Sequence, residues 1–341
     1  MSGKRKVNRI DYCQYLLSSQ TNYTLTYVAK HREGIAHDAY NRYLADEKLS
    51  PRVLWEHAKH EIILSNDGFI IYDDTVLDKS YAHAIDLARY QYSGNSKEVI
   101  NGIGVVNAIY VNPDTEQFWV IDYRIYAPEQ DGKSKLDHLL DMQRNIHYQK
   151  QLPYKGVLMD TWYATHKVML TIDSLGKLFY CPIKANRLVS ETEQDYHHIP
   201  TSTLTWNETS LAQGKKVHLN KFPNDFHVQL YRITASTRRT DFIVTNDKSQ
   251  LTNDAIQDVY NIRWCVEEFH REAKQLTGVA KCQCRKQRIQ RNHIACAYLV
   301  WLKLKSVAYH IGKTVYQIKS NLLEQYMINE LRQPQVEFDF A

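Results

Sequence analysis

Phe69-Ile70-Ile71-Tyr72-Asp73-Asp74 is the stretch on which the reading of the fold turns. Continuous apolar residues follow the Asp67-Gly68 turn and end in two acids, the pattern of a short strand buried on both faces. A second stretch of the same form, Gly156-Val157-Leu158-Met159-Asp160, lies farther along. Between them the pattern predicts strands near Gly104–Val111 and Gln117–Tyr126, the latter rich in aromatic and β-branched residues. A helix is expected over Ser134–Gln149, where Leu136, Leu139, Leu140 and Met142 form an apolar stripe. A helix near Thr165–Leu175 and a strand near Leu178–Ile183 complete the series.

Three strands, helix, strand, helix, strand is the layout of an α/β fold of the ribonuclease H-like kind, a mixed sheet with helices on its faces. Acids at the C-terminal ends of strands stand where α/β sheets place their chemistry. Working outward, residues 184–248 break the pattern with Pro200, Pro223 and many Asn, Ser and Thr. Short strand candidates at Val217–Leu219, Phe226–Thr234 and Thr240–Val244 make this a β-rich insertion. On the other side, residues from about Tyr12 to Lys59 read as helical. Two short helices joined at Gly34 resemble a helix-turn-helix, with Asn41 and Arg42 on the second helix placed to meet bases or phosphates. Any small helical bundle gives the same pattern. The expected domains are therefore a helical DNA-binding domain over 1–62, a catalytic domain over 63–330 interrupted at 184–248, and a tail over 331–341.

At 341 residues, with 43% hydrophobic and 24% charged residues, the chain has the make-up of an ordinary globular protein. It holds no apolar run long enough for a membrane span, and no apolar stretch follows the basic N-terminus that could act as a signal peptide. A cytoplasmic location and no membrane partner are expected. The six cysteines show no disulfide framework, and Cys282-Gln283-Cys284 beside His293 lacks the second pair of a zinc site, so free thiols are expected.

The formal charge of +5 matters less than its distribution. Seven basic residues (Arg271, Lys274, Lys281, Arg285, Lys286, Arg288, Arg291) fall between His270 and Arg291 against the single acid Glu272, and Lys4, Arg5, Lys6 and Arg9 open the chain. Such clusters neutralise phosphates, although a solvated helix face looks the same. A glycine-rich phosphate loop and a nucleophile elbow are both missing from the sequence, so neither a nucleotide-driven motor or kinase nor a serine hydrolase is supported.

A late helix starting at about Asn253 carries Tyr260, Arg263, Glu267 and Lys274, with His270 on the same stripe. Offsets of three, seven and fourteen keep these residues on one side at about 3.6 residues per turn. A stripe of Tyr, Arg, Glu, His and Lys is no apolar seam; it faces solvent or lines a charged site. Tyr260-x2-Arg263-x3-Glu267-x6-Lys274 resembles the Y-R-E-K signature of bacterial insertion-sequence transposases of the insertion-sequence-four type. Asp160-Thr161-Trp162-Tyr163 is similar to the D-x-x-Y block around that family's second catalytic aspartate, and Ile71-Tyr72-Asp73-Asp74-Thr75 to the block around the first.

The resemblance implies a metal-binding catalytic triad of Asp73, Asp160 and Glu267, with Asp74 the alternative to Asp73. Three carboxylates supply the hard oxygen ligands suited to Mg²⁺, with Mn²⁺ as a substitute. It further implies that Tyr260, Arg263 and Lys274 hold terminal phosphates and that Trp162 stacks on a displaced base; the basic cluster adds His270, Arg271, Arg285 and Lys286 as candidate DNA contacts. The activity implied is cut-and-paste DNA transposition in a bacterial, nucleoid-associated setting. A homodimer would pair two terminal inverted repeats and join their 3′-hydroxyl ends to target double-stranded DNA. Taken singly, an Asp at a strand end is usually a turn residue and a Glu on a helix is usually solvated. The competing readings are a metal-dependent nuclease on the same fold and a non-catalytic DNA-binding derivative of a transposase.

Overall fold

The computed structural model describes residues 6–82, 84–94, 96–192, 196–236, 239–249 and 251–333. Lys4 and Arg5 of the basic N-terminus, and residues 334–341 of the expected tail, lie outside them. The chain opens with α1 (Arg9–Ser18), α2 (Leu25–Lys30), α3 (His37–Asp46) and α4 (Pro51–Ala58). Strands β1 (Phe69–Asp78), β2 (Arg89–Ser93), β3 (Glu98–Asn112) and β4 (Gln117–Tyr126) follow. Next come α5 (Pro128–Asp131), α6 (Lys135–Arg144), β5 (Gly156–Met159), α7 (His166–Ser174) and β6 (Leu178–Ile183). The insertion holds β7 (Leu188–Ser190), β8 (Ile199–Pro200), α8 (Glu208–Gln213), β9 (Lys215–Leu219), β10 (His227–Ser236) and β11 (Arg239–Thr245). The chain continues through α9 (Asn253–Asn261), α10 (Trp264–Leu276), α11 (Gln287–Ile311), α12 (Val315–Asn321) and α13 (Glu324–Arg332).

Two compact units result, one of Ile62–Thr75 and Val105–Glu267, the other of Met1–Glu61, Val76–Gly104 and Glu268–Ala341. In the first, the strand order is β4-β3-β1-β5-β6-β11-β10-β9-β7-β8. β5 pairs in parallel with both β1 and β6, whereas β11 joins β6 antiparallel, so the sheet is mixed. The core order, third strand to first and then fourth and fifth, is the ribonuclease H-like arrangement expected from the sequence. Phe69–Tyr72 and Gly156–Met159 are buried throughout, as their unbroken apolar runs require. α6 packs on β4 and α7 on β6.

Helix α6 ends sooner than the predicted Gln149. It passes at Arg144 into a π-helical turn, Asn145–Lys150, closed by Gln151 in the left-handed region at φ 50°. Within α6, buried Gln143 accepts from the Tyr72 hydroxyl at 2.9 Å and donates to that of Tyr154 at 2.7 Å, which satisfies its amide. The insertion extends the core sheet. Val244 and Phe242 of β11 register with Cys181 and Ile183 of β6, so an edge that would otherwise stand open is covered.

The second unit is built on α11, against which α1, α3, α4 and α12 pack. Buried polar groups of this unit close chain ends. Asn292 donates to the carbonyls of Leu44 at 2.8 Å and Glu47 at 2.6 Å and accepts from Leu49 N at 2.9 Å, which ends α3. Lys319 donates to the carbonyls of Leu16 and Leu17 at the end of α1. Tyr12 sits among Tyr15, Tyr40 and Tyr43, with ring centroids 6.0–6.5 Å away, so several of the abundant tyrosines are core residues. Strand β2, unread in the sequence, pairs with Glu98–Gly102 of β3. Its alternation puts Tyr90 in solvent, 80% exposed, so it has no apolar face to betray it.

Gly278 follows α10 in the left-handed region at φ 66°, and a Cβ there would stand 2.3 Å from the Tyr23 ring. Gly34, between α2 and α3, has φ 73° with nothing within 4 Å. Gly278→Ala is therefore expected to cost about 2–5 kcal/mol, backbone strain plus overpacking. Gly34→Ala should cost only about 1–2 kcal/mol of strain. Denaturant unfolding of both variants checks the difference.

Candidate active site

Parallel pairing of Tyr72 with Met159 places the residues that follow side by side: Asp73, which the sequence reading put at a strand end but which lies inside β1 because that strand runs on to Asp78, and Asp160, just past the end of β5. Adjacent strand residues point to opposite faces, and the surroundings of Asp73 and Asp74 differ accordingly. Asp74 is committed: its Oδ2 accepts from Lys135 Nζ at 2.6 Å and its Oδ1 from the Tyr163 hydroxyl at 2.8 Å. Asp73 accepts a backbone bond from Asp74 N at 2.9 Å, and its nearest cation is Arg263, at 3.9 Å from Oδ2. Asp160 turns the chain after β5, its Oδ1 accepting from Trp162 N at 3.0 Å and Tyr163 N at 3.1 Å. That turn holds its carboxylate in place.

The Asp73 side chain is only 14% exposed. Burial, reinforced by the charges of Asp160 and Asp74 and opposed by Arg263, pushes its carboxyl up to about 8. Asp160 is raised too, chiefly by burial, with the Asp74 charge adding to it and the turn amides and Arg263 working against it. Two carboxyl groups in a site short of water, each raised by burial and by a neighbouring acid, are what a cation would relieve.

The late helix is not continuous. α9 ends at Asn261 and α10 begins at Trp264, with a turn at Ile262-Arg263 between them. The single helical stripe expected from spacing is thus carried by two helices. Tyr260 still meets Arg263, whose guanidinium lies 5.8 Å over the Tyr260 ring. The break leaves Arg263 reaching both Asp73 and Glu267, the latter at 3.7 Å. Among the described residues no group of three or more His, Cys, Asp or Glu side chains is gathered closely enough to hold an ion. The guanidinium stands among the carboxylates instead. The donor set itself, oxygen-only and anionic with two half-repelled acids, fits a hard divalent cation.

Trp162 is 51% exposed, its ring set edge-on to Tyr163 at 4.8 Å with Lys135 Nζ 6.0 Å away. It lines a cleft of about 400 Å³ with Thr161, Thr165, Lys184, Arg187 and Lys221. Arg187 is half-buried there and its Nε finds no hydrogen-bond partner among the described residues. Sequence reading missed Lys135 and Arg187, since each belongs to a segment whose place beside Trp162 or Asp74 only the folded chain sets. It also missed Trp264, an exposed indole next to Arg263 in the chain, which the Y-R-E-K spacing passes over.

The remaining basic residues lie in the helical unit. Arg271, Arg285 and Lys286 are exposed, while Lys274 is half-buried. Arg42 is exposed on α3 and pairs with Asp38. His270 differs from the surface position expected of a DNA contact: it is 6% exposed and its ring packs against Phe269. The thiols of Cys282 and Cys284 are free, and His293 is engaged by the Tyr12 hydroxyl at 2.8 Å and the Gly278 carbonyl at 3.0 Å.

No helix among the described residues is long and apolar enough to cross a membrane. No curated protein matches the chain by sequence. Among solved structures it is similar to the piggyBac transposase in its synaptic complex with hairpin DNA, at 11% identity and a TM-score of 0.49, covering 99% of this chain and 76% of that one. It is also similar to the endonuclease V of Bacillus subtilis, at 11% identity and a TM-score of 0.27, covering 70% of this chain and 95% of that one. The transposase DDE domain model matches residues 66–302, a span that takes in Asp73, Asp160 and Glu267. By that match, over more than half its length, the chain belongs to the DDE-domain transposase family and is a DNA transposase.

Proposed function

We propose that this transposase works by cut-and-paste and is of the insertion-sequence-four type, with Asp73, Asp160 and Glu267 as its triad. The observation that carries the assignment is the imbalance at Asp73: a buried carboxyl beside Asp160 with only a distant guanidinium to offset it. Asp74 is already neutralised by Lys135 and hydrogen-bonded by Tyr163, which supports Asp73 as the ligand. The three carboxylates would hold Mg²⁺, with Mn²⁺ as a substitute. When bound, such ions polarise the scissile phosphate and stabilise the attacking and leaving oxygens of an in-line displacement.

The chain's own groups supply the rest. Arg263, released from Asp73 and Glu267 as the site fills, is free to grip a terminal phosphate, and its planar fork suits two parallel bonds. Tyr260 keeps the guanidinium in place by lying beneath it. Trp162, half-exposed beside Asp160, offers a face for an unpaired base. Lys184, Arg187 and Lys221 put positive charge around the same cleft. The partner is double-stranded DNA, first the terminal inverted repeats and then the target, held by a homodimer because two equivalent ends call for a two-fold assembly. Residues 1–62 act as the end-binding segment, with Arg42, Lys274, Arg271, Arg285 and Lys286 on phosphates.

Purified protein with DNA carrying the element ends, in Mg²⁺ or Mn²⁺, tests this. Cleavage at the repeat boundary followed by joined products is expected, and Glu267→Ala should lower both by about a thousandfold or more. Cleavage without joining would favour the nuclease, and binding without cleavage the non-catalytic derivative. On the insertion-sequence-four reading the element end is opened through a DNA hairpin, so Trp162→Ala is expected to nick normally while losing hairpin formation, and an unchanged hairpin yield would overturn the base-stacking role.

The raised Asp73 carboxyl also makes a pH prediction. A group whose folded value lies above its unfolded one stabilises the fold at low pH and loses that contribution as pH rises to its folded value. Metal-free protein should therefore lose melting temperature between about pH 4 and 8, and Asp73→Asn should remove most of that loss while abolishing cleavage. Metal binds in competition with the same proton, so Mn²⁺ affinity should climb up to about pH 8.

A further inference from the structure

Within the helical unit, β2 and the facing stretch of β3, Glu98–Gly102, form a hairpin with one open side. Tyr90 registers with Asn101 and Tyr92 with Val99. Residues two apart on a strand, and their cross-strand partners, share one side of the pleat. On that side Tyr92 and Val99 are each 62% exposed, and Tyr90 is more open still. Two tyrosine rings and the valine opposite them make a contiguous patch, which is the mark of a contact surface rather than of scattered exposure.

The loop that leads into β2 is fastened to the basic segment of the same unit. Buried Lys79 donates to the carbonyls of Ala280 at 2.7 Å and Cys282 at 2.6 Å. Asp86 N donates to the Arg285 carbonyl at 3.0 Å, and Asp86 Oδ2 accepts from Gln287 N at 3.1 Å. From α11, Gln290 donates to the carbonyls of Cys282 at 3.0 Å and Cys284 at 2.6 Å. These bonds hold the segment by its backbone, with Cys282 turned inward, and leave Lys281, Arg285, Lys286 and Arg288 exposed. No acid stands between Gly278 and Arg288. Tyr90 follows Asp86 by four residues, a span of at most about 14 Å of extended chain. The tyrosine patch therefore starts a short, tethered distance from a cluster of cations.

That neighbourhood selects the occupant. A second copy of the chain would bring a like-charged segment with its own patch, whereas DNA brings the opposite charge. Tyrosine also suits a nucleic-acid backbone, because its hydroxyl donates to a phosphate oxygen while its ring covers the sugar. We propose that the β2–β3 hairpin is a duplex-DNA contact of this transposase, with Tyr90 and Tyr92 against the sugar–phosphate backbone that Lys281, Arg285, Lys286 and Arg288 engage alongside. The inference rests on the reading of Arg285 and Lys286 as phosphate contacts, and it extends DNA binding to a strand pair that the distribution of charge does not mark.

The test compares wild type with two double variants, Tyr90→Thr/Tyr92→Thr, which keeps β-branched residues in β2, and Arg285→Gln/Lys286→Gln. Each is titrated, over a range of salt, with a duplex carrying an element end and with a scrambled duplex of the same length. The threonine variant should bind both duplexes about tenfold more weakly, since backbone contacts carry no sequence information. Its slope of log affinity against log salt should stay at the wild-type value, because no cation is lost. The glutamine variant should lower that slope by about 2. In the wild-type chain, saturating duplex should protect Tyr90 and Tyr92 from iodination read by mass spectrometry, a measurement that holds even if the threonine variant folds poorly.

Unprotected tyrosines at saturation, or wild-type affinity in a folded threonine variant, would overturn the proposal alone. So would weakening confined to the element-end duplex, which would mean base reading, or loss of self-association by the DNA-free threonine variant in sedimentation, which would mean a contact between copies. An unchanged salt slope in the glutamine variant would overturn the reading of Arg285 and Lys286 and the proposal with it. Wild type that binds duplex without cutting it would sink the proposed reaction, while protection of the two tyrosines would still support the hairpin contact.

Discussion

Asp73 and Asp160 repel each other, and the site is organised around holding them where they are. Parallel pairing of β1 with β5 brings the two acids, each one residue beyond the paired stretch, side by side. Burial deprives them of water, and the outcome is a carboxyl at Asp73 raised to about 8. Such a site is unfavourable in isolation and becomes favourable when positive charge enters it. Arg263 supplies some of that charge from a distance, reaching both Asp73 and Glu267.

The neighbours of the two acids are arranged to keep this imbalance local. Lys135 and Tyr163 neutralise and bond Asp74, which confines the unsatisfied charge to the other face of β1. Backbone amides of the turn after β5 fix Asp160 without cancelling its charge. The same turn carries Trp162 out of the core to the lip of a cleft ringed by Lys184, Arg187 and Lys221. One short loop therefore joins a carboxylate to an exposed aromatic face, so the two cannot move independently.

Rigidity behind the site comes from satisfied polar groups as much as from apolar packing. Gln143 links Tyr72 to Tyr154 behind β1, and the insertion strands continue the sheet past β6 so that the core has no open edge on that side. The helical unit, taken by itself, uses the same device: Asn292 and Lys319 each close a helix end with directed bonds. Buried groups of this kind cost desolvation, and what they return is a single arrangement.

The order of core strands and helices and the intervals of the Y-R-E-K pattern were readable in the sequence because each is local, whereas Asp73, read as a strand end, lies inside β1 and only Asp160 follows its strand. A strand buried on both faces needs an unbroken apolar run, and a signature needs only fixed intervals. Strand β2 was illegible, since its exposed tyrosines give it no apolar face, and so was the break at Ile262-Arg263, which no glycine or proline marks. Whether Asp73 or Asp74 is the free acid also lay beyond the chain alone. The difference is made by Lys135 and Tyr163, far along the sequence and brought to one face of β1 only when the sheet closes. The sequence by itself determined which chemistry the chain could carry, because that depends on residue type and spacing. The tertiary structure alone decided which carboxylate a cation neutralises at close range and which it does not, because burial and charge pairing are properties of neighbours in space.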